Sequence, residues 1–139
     1  MSRIIRTNTL SKDRTQLLRT IFMVISDLSH CQGLDDQTKD MAAFIVLCLE
    51  AIFQNIERSL EAWEKRGYWV KADRFRSDWI WTINSAGKLR TALEQNNWDG
   101  IAHVCIQVGM NLNNIKVPKS YKIGTPWVGA WDKFRQHPK

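Results

Sequence analysis

Histidines, thiols and rows of carboxylates are the side chains that build most catalytic and metal sites, and this 139-residue chain spaces them sparsely. His30, His103 and His137 stand alone, with no metal-ligand spacing between any two of them. Cys31, Cys48 and Cys105 form no CxxC pair, and an odd number of cysteines without a secretion signal suits free thiols in a reducing compartment. Cys48 and Cys105 fall on apolar helix faces, where a thiol behaves as a small hydrophobe. Glu50, Glu57, Glu61 and Glu64 make a row that could interest a pair of metal ions, but such bundle sites need inward-facing Glu-x-x-His motifs, which the sequence lacks. The row also points away from the apolar stripe of its helix, as a solvated face does. No glycine-rich phosphate loop and no GxSxG elbow occurs. The sequence therefore predicts a non-enzyme, with no cofactor and no metal.

The sharper feature is the stretch Arg58–Ile83. It holds four of the seven tryptophans (Trp63, Trp69, Trp79, Trp81) interleaved with Lys65, Arg66, Lys71, Arg74 and Arg76. Cations at the start of a helix oppose its dipole by a few tenths of a kcal/mol each, so Lys65, Arg66, Lys71 and Arg74 around a predicted helix start need a reason. One is an anion site built on the unpaired N–H groups of that helix end. The other is a solvated surface in which arginines lie over tryptophan faces. Arg74, Trp81 and Lys88 recur at seven-residue steps and so align on one helix face, about 130° from the predicted seam. A tryptophan on that face is covered either by another part of the chain, the tail with Trp127 and Trp131 first among them, or by a partner.

The elements that must position these residues follow from periodicity. Residues 1–10 read as a basic arm. Helix one is predicted from about Lys12 to His30, with Ser11 as N-cap, Leu17, Leu18, Ile21, Phe22, Ile25 and Leu28 on one face, and Gly33 closing it in the left-handed region. Helix two is predicted from Asp35 or Asp36 to about Lys65, its stripe Met41, Ile45, Cys48, Leu49, Ile52, Ile56, Leu60 and Trp63 widened by Phe44, Leu47 and Phe53. Helix three is predicted from Trp69 to about Gln95 on the seam Ala72, Phe75, Trp79, Thr82, Ala86, Leu89 and Leu93. Helix four follows Asn96 or Asn97, with Ile101, Val104, Cys105, Val108 and Leu112 inward. Pro118 and Pro126 break the pattern beyond Asn113, and Thr125-Pro126 predicts the start of a short terminal helix carrying Trp127, Trp131 and Phe134.

Three short connections predict an all-α, up-down-up-down four-helix bundle over residues 11–114, with two long central helices and a Trp-rich C-terminal tail over residues 115–139. Shorter outer helices would leave the Gly67 turn protruding by about 15 Å. The arm, the turn and the root of the tail would converge there.

The charge pattern gives that geometry its meaning. The formal charge is +6; residues 1–20 sum to +4, 27–64 to −6, 65–76 to +4 and 116–139 to +5. A cationic, Trp-rich pole is therefore predicted, made of Lys65, Arg66, Trp69, Lys71, Arg74, Arg76, Trp81, Lys88, Lys116, Lys119, Trp127 and Trp131. Its first use is docking an acidic protein partner, with tryptophan and arginine as anchors. The alternatives are nucleic-acid binding through the same surface, and a small-ligand bundle with a cavity between tryptophans. A second copy of the chain could equally cover the protruding half of the hairpin. No apolar run approaches the roughly 20 residues of a membrane span, and no signal peptide is visible, so the expected setting is the cytoplasm.

The run AWEKRGYWVKADRFRSDWIW, with KVPKSY and PWVGAWDKF near the end, resembles a small all-helical family of hypothetical proteins from cyanobacteria. The resemblance implies a bacterial cytoplasm, photosynthetic cells included. It supplies no function and no site residue.

Overall fold

The computed structural model describes residues 7–136, and every described element is helical. Five helices follow one another: α1 (Thr7–Leu28), α2 (Asp36–Lys65), α3 (Trp69–Glu94), α4 (Trp98–Asn111) and α5 (Ala130–Gln136). The all-α class is as the sequence predicts. Arm residues 1–6 and His137 lie outside the described residues.

Local chemistry sets the boundaries. Asp35 opens α2 through a capping box: its Oδ1 accepts from the Thr38 N–H at 2.8 Å, and the Thr38 hydroxyl oxygen accepts from the Asp35 N–H at 2.7 Å. The Thr38 N–H, helped by the Thr38 hydroxyl 3.2 Å from the same oxygen, holds the Asp35 carboxyl below its ordinary range. Gly67, at φ +81°, carries the chain from α2 into α3. Asn96 takes the left-handed conformation between α3 and α4, and Asn97 then caps α4 by accepting from the Gly100 N–H at 3.0 Å. At α1 the sequence reading needs correction. The helix begins at Thr7 rather than Lys12, because Leu10 is buried and its carbonyl accepts from the Asn55 side chain at 2.9 Å. It ends at Leu28, and Gly33 is not left-handed.

α2 lies at the centre, packed against α1, α3 and α5, while α3 also carries α4. Ile45, Leu49, Ile52, Ile56 and Leu60 on α2 are fully buried against Ile21 and Val24 of α1 and Leu89 and Leu93 of α3. Ile101 and Val108 complete that core from α4. Between Met41 and Leu49 every residue is buried or half-buried. A helix that is apolar all round needs cover on every side, and beside Phe44, Leu47, Cys48 and Ala51 the C-terminal segment supplies it with Pro126, Val128 and Ala130.

That segment takes an unexpected route. Beyond α4 it crosses α1, where the Arg19 Nε donates to the Lys116 carbonyl at 2.9 Å and the Tyr121 hydroxyl meets the Thr20 hydroxyl at 3.0 Å. It then docks on the first half of α2: the Asp40 carboxylate accepts from the backbone N–H groups of Gly129 (3.3 Å) and Trp131 (2.9 Å). Trp127, Ala130 and Phe134 are buried there. The terminal helix starts at Ala130, after a turn, so Trp127 precedes it instead of riding on it. The tail therefore ends beside the start of α2, away from the Gly67 turn. Convergence of the tail with the hairpin tip does not occur.

Candidate functional site

The α2–α3 hairpin tip gathers half of the residues singled out in the sequence. The turn is closed by backbone bonds from the Arg66 and Tyr68 N–H groups to the Trp63 carbonyl, both 3.0 Å, and from Gly67 to Glu64 at 3.0 Å. Tyr68 stands at the N-cap of α3 without a capping side-chain bond, and the first turn of α3 holds no acidic residue. Tyr68, Trp69 and Val70 are 51%, 61% and 73% exposed, three consecutive large side chains left in water at the end of the molecule. Such a run is unusual on a folded surface, where apolar residues are commonly exposed singly.

The cations around it divide into two kinds. Lys65 meets Glu61 at 3.7 Å, and Arg76 bridges Asp73 (3.2 Å) and Glu64 (3.6 Å). Among the described residues no ion pair reaches Arg66 or Arg74. The Lys71 ammonium lies 4.6 Å from the Trp63 ring centroid, and Arg74 borders a shallow groove of about 550 Å³ with Trp63, Val70, Lys71, Phe75 and Asp78. Folding also dilutes the charge that residues 65–76 show in isolation. The hairpin sets the acidic end of α2 against the basic start of α3, so residues 57–78 hold six basic and five acidic side chains, for +1.

Below the tip runs an aromatic file. Trp63 meets Phe75 edge-on with centroids 4.7 Å apart, Phe75 lies 6.3 Å from Trp79, and Trp79 stacks on Trp81 at 6.2 Å. Arg14 of α1 enters this file. Its guanidinium sits 5.2 Å from Phe75 and 5.4 Å from Trp79, and its Nη1 donates to Asn55 Oδ1 at 2.9 Å. Desolvation lowers the Arg14 pKa, and the aromatic faces and the amide stand in for water. Trp81 is half-buried, stacked on Trp79.

The remaining predicted site residues lie elsewhere. Lys88 is about 21 Å along the α3 axis from Arg74, beside a groove with Asn84, Thr91 and His103. Lys116 and Lys119 belong to the segment that crosses α1. Trp127 is buried, and Trp131 stacks on Phe134 with Lys39 and Arg135 over its ring, all at the Asp40 end. The structure brings together Lys65, Arg66, Trp69, Lys71, Arg74 and Arg76, with Trp81 further down the same helix.

Sequence reasoning passed over Tyr68 and Val70, although a Tyr-Trp-Val run straight after a turn glycine was a readable signal. It also passed over Arg14, whose place depends on two other helices, and Arg90. The Arg90 Nη2 donates to both Glu50 carboxylate oxygens (3.1 and 3.3 Å), and its Cζ lies 4.4 Å from the Phe134 ring centroid. The row of glutamates on α2 is therefore not uniformly solvated, because the Glu50 side chain is largely covered in an ion pair.

Among the described residues no group of three His, Cys, Asp or Glu side chains is placed to hold a metal ion. Burial pushes the Cys48 and Cys105 thiols up to about 12, far from nucleophilic at neutral pH. Among the described residues no helix is long and apolar enough to cross a membrane. Set against known proteins, the chain matches no family model, and neither a curated protein nor a solved structure is significantly similar to it.

Proposed function

We propose that the chain is a non-enzymatic interaction module: an up-down-up-down four-helix bundle whose long α2–α3 hairpin docks an acidic protein partner through its tip. One observation carries the reading. Tyr68, Trp69 and Val70 are exposed side by side, and two of the cations flanking them, Arg66 and Arg74, have no ion pair among the described residues. Aromatic and arginine side chains are the usual anchors of protein interfaces. An arginine without a counter-charge gains most from a carboxylate that the partner brings. Lys65 and Arg76 are engaged by Glu61, Glu64 and Asp73, which leaves Arg66 and Arg74 for carboxylates of a partner.

The +1 balance of the hairpin weighs against nucleic acid as the occupant, since phosphate binding needs an excess of cations on one surface. The partner is sought in the cytoplasm of a bacterium, a setting suited to three free cysteines. Affinity purification from native lysate tests the reading with three baits: wild type, Arg66→Ala/Arg74→Ala and Trp69→Ala. The expected result is one acidic protein retained by wild type and lost from both variants, with melting temperatures unchanged. Equal retention by all three baits, or a short oligonucleotide bound at low salt by wild type, would overturn it.

A further inference from the structure

A second surface, remote from the hairpin tip, is built differently. α1 and α4 touch less than any other neighbouring pair of helices described above. Their seam opens into a cleft of about 350 Å³ lined by Ile25 and Leu28 of α1 and by Trp98, Ala102, Cys105 and Ile106 of α4. Beside this hole stand two knobs. Ile106 and Met110, one turn apart on α4, are 62% and 69% exposed, and Phe22 of α1 is also exposed.

Charge narrows the choice of occupant. In a chain of net +6, residues 22–29 and 98–111 contain no Lys or Arg, and Asp27 and Asp99 are their only charged residues. Asp99 lies in the first turn of α4, where the helix dipole favours it. A basic or acidic partner would find almost nothing to pair with here. Two copies of this chain, each of net charge +6, would meet along these two stretches without opposing lysines or arginines.

Shape points the same way. An isologous interface requires one patch to carry both halves of each contact, so that residue i meets j and j meets i. This face carries a hole and the apolar side chains to fill it. Ala102 and Gly109, small residues at the cleft, allow two helices to approach closely. A small molecule seated in the cleft would leave Met110 and Phe22 in water, whereas a second helical face would cover them.

We propose that the α1–α4 face is the docking site for a second copy of this chain, with Ile106 of each copy entering the cleft of the other across a two-fold axis. The interface is separate from the hairpin tip and does not depend on the partner proposed there. Sedimentation velocity of the full chain, from about 1 to about 300 µM, tests it. Wild type is expected to sediment as a dimer whose melting temperature rises with concentration. Ile106→Glu/Met110→Glu should weaken self-association at least about 100-fold with an unchanged circular dichroism spectrum, because both side chains are exposed. Trp69→Ala should dimerise as wild type does. A wild-type chain that stays monomeric throughout the range overturns the proposal, as does a dimer that survives the double substitution or is lost with Trp69. Saturable binding of the neutral probe N-phenyl-1-naphthylamine by a monomeric wild type would overturn it in favour of a small apolar ligand.

Discussion

Replacing Glu50 by alanine should be among the most damaging single changes in this protein. The carboxylate faces Arg90 across the α2–α3 interface, with side chains only 13% and 10% exposed. Phe134 from the tail shields the guanidinium, and Arg90 Nη1 is already buried without a hydrogen-bond partner among the described residues. The pair itself contributes little net stability, since desolvating two ions offsets most of their attraction. Removing one member is another matter: an uncompensated buried charge costs about 3–5 kcal/mol. For a chain of this size that corresponds to a melting temperature lower by roughly 12–20 °C. Replacing both residues, as Glu50→Met/Arg90→Met, should return stability to within about 1.5 kcal/mol of wild type. Urea unfolding followed by tryptophan fluorescence and circular dichroism measures all three proteins. A Glu50→Ala loss under about 1 kcal/mol, or a double variant no better than the single one, would refute the argument that burial governs this pair.

Two further outcomes are expected. Cys48 and Cys105 are buried thiols with pKa raised from about 9 to about 12. The unfolded chain therefore loses these protons first, and stability that is complete below pH 9 falls by about 1.4 kcal/mol per thiol for each pH unit up to about 12. Urea midpoints at pH 8 and pH 10 should drop less in Cys48→Ala/Cys105→Ala than in wild type. Asp40→Ala removes the acceptor for two backbone N–H groups of the tail and should cost about 1–3 kcal/mol, with tail amides around Trp131 losing hydrogen-exchange protection while those of α3 keep theirs.

The parts of this structure that could be read in the sequence are those whose causes are local. α2, α3 and α4 begin and end within about two residues of their predicted limits, because Asp35, Gly67 and Asn97 act on the backbone beside them. The seam of α3 is legible for the same reason: Ala72, Thr82, Ala86, Leu89 and Leu93 are buried, and Phe75 and Trp79 half-buried. What failed depended on distant partners. The start of α1 is fixed by Asn55, and the resting place of the tail by Asp40. At the candidate site, the clustering of Lys65 to Arg76 was visible, but their neutralisation by Glu61 and Glu64 was not. A run of charge along the chain says nothing of the strand of opposite charge that a hairpin folds against it. The membership of Trp127 and Trp131 in that cluster failed because sequence shows an amphipathic terminal helix without showing which groove accepts it.

The tail has a consequence for how the protein comes into being. The contact between Asp40 and Trp131 spans 91 positions, so one flank of α2 has no cover until the chain has been synthesised through Trp131. A nascent chain halted before Pro126 would present Phe44, Leu47 and Ala51 to water, in a segment apolar enough to seek the same flank on a neighbour. Synthesis of the docking segment through Trp131, rather than formation of the helices, is then the event that makes α2 safe from aggregation.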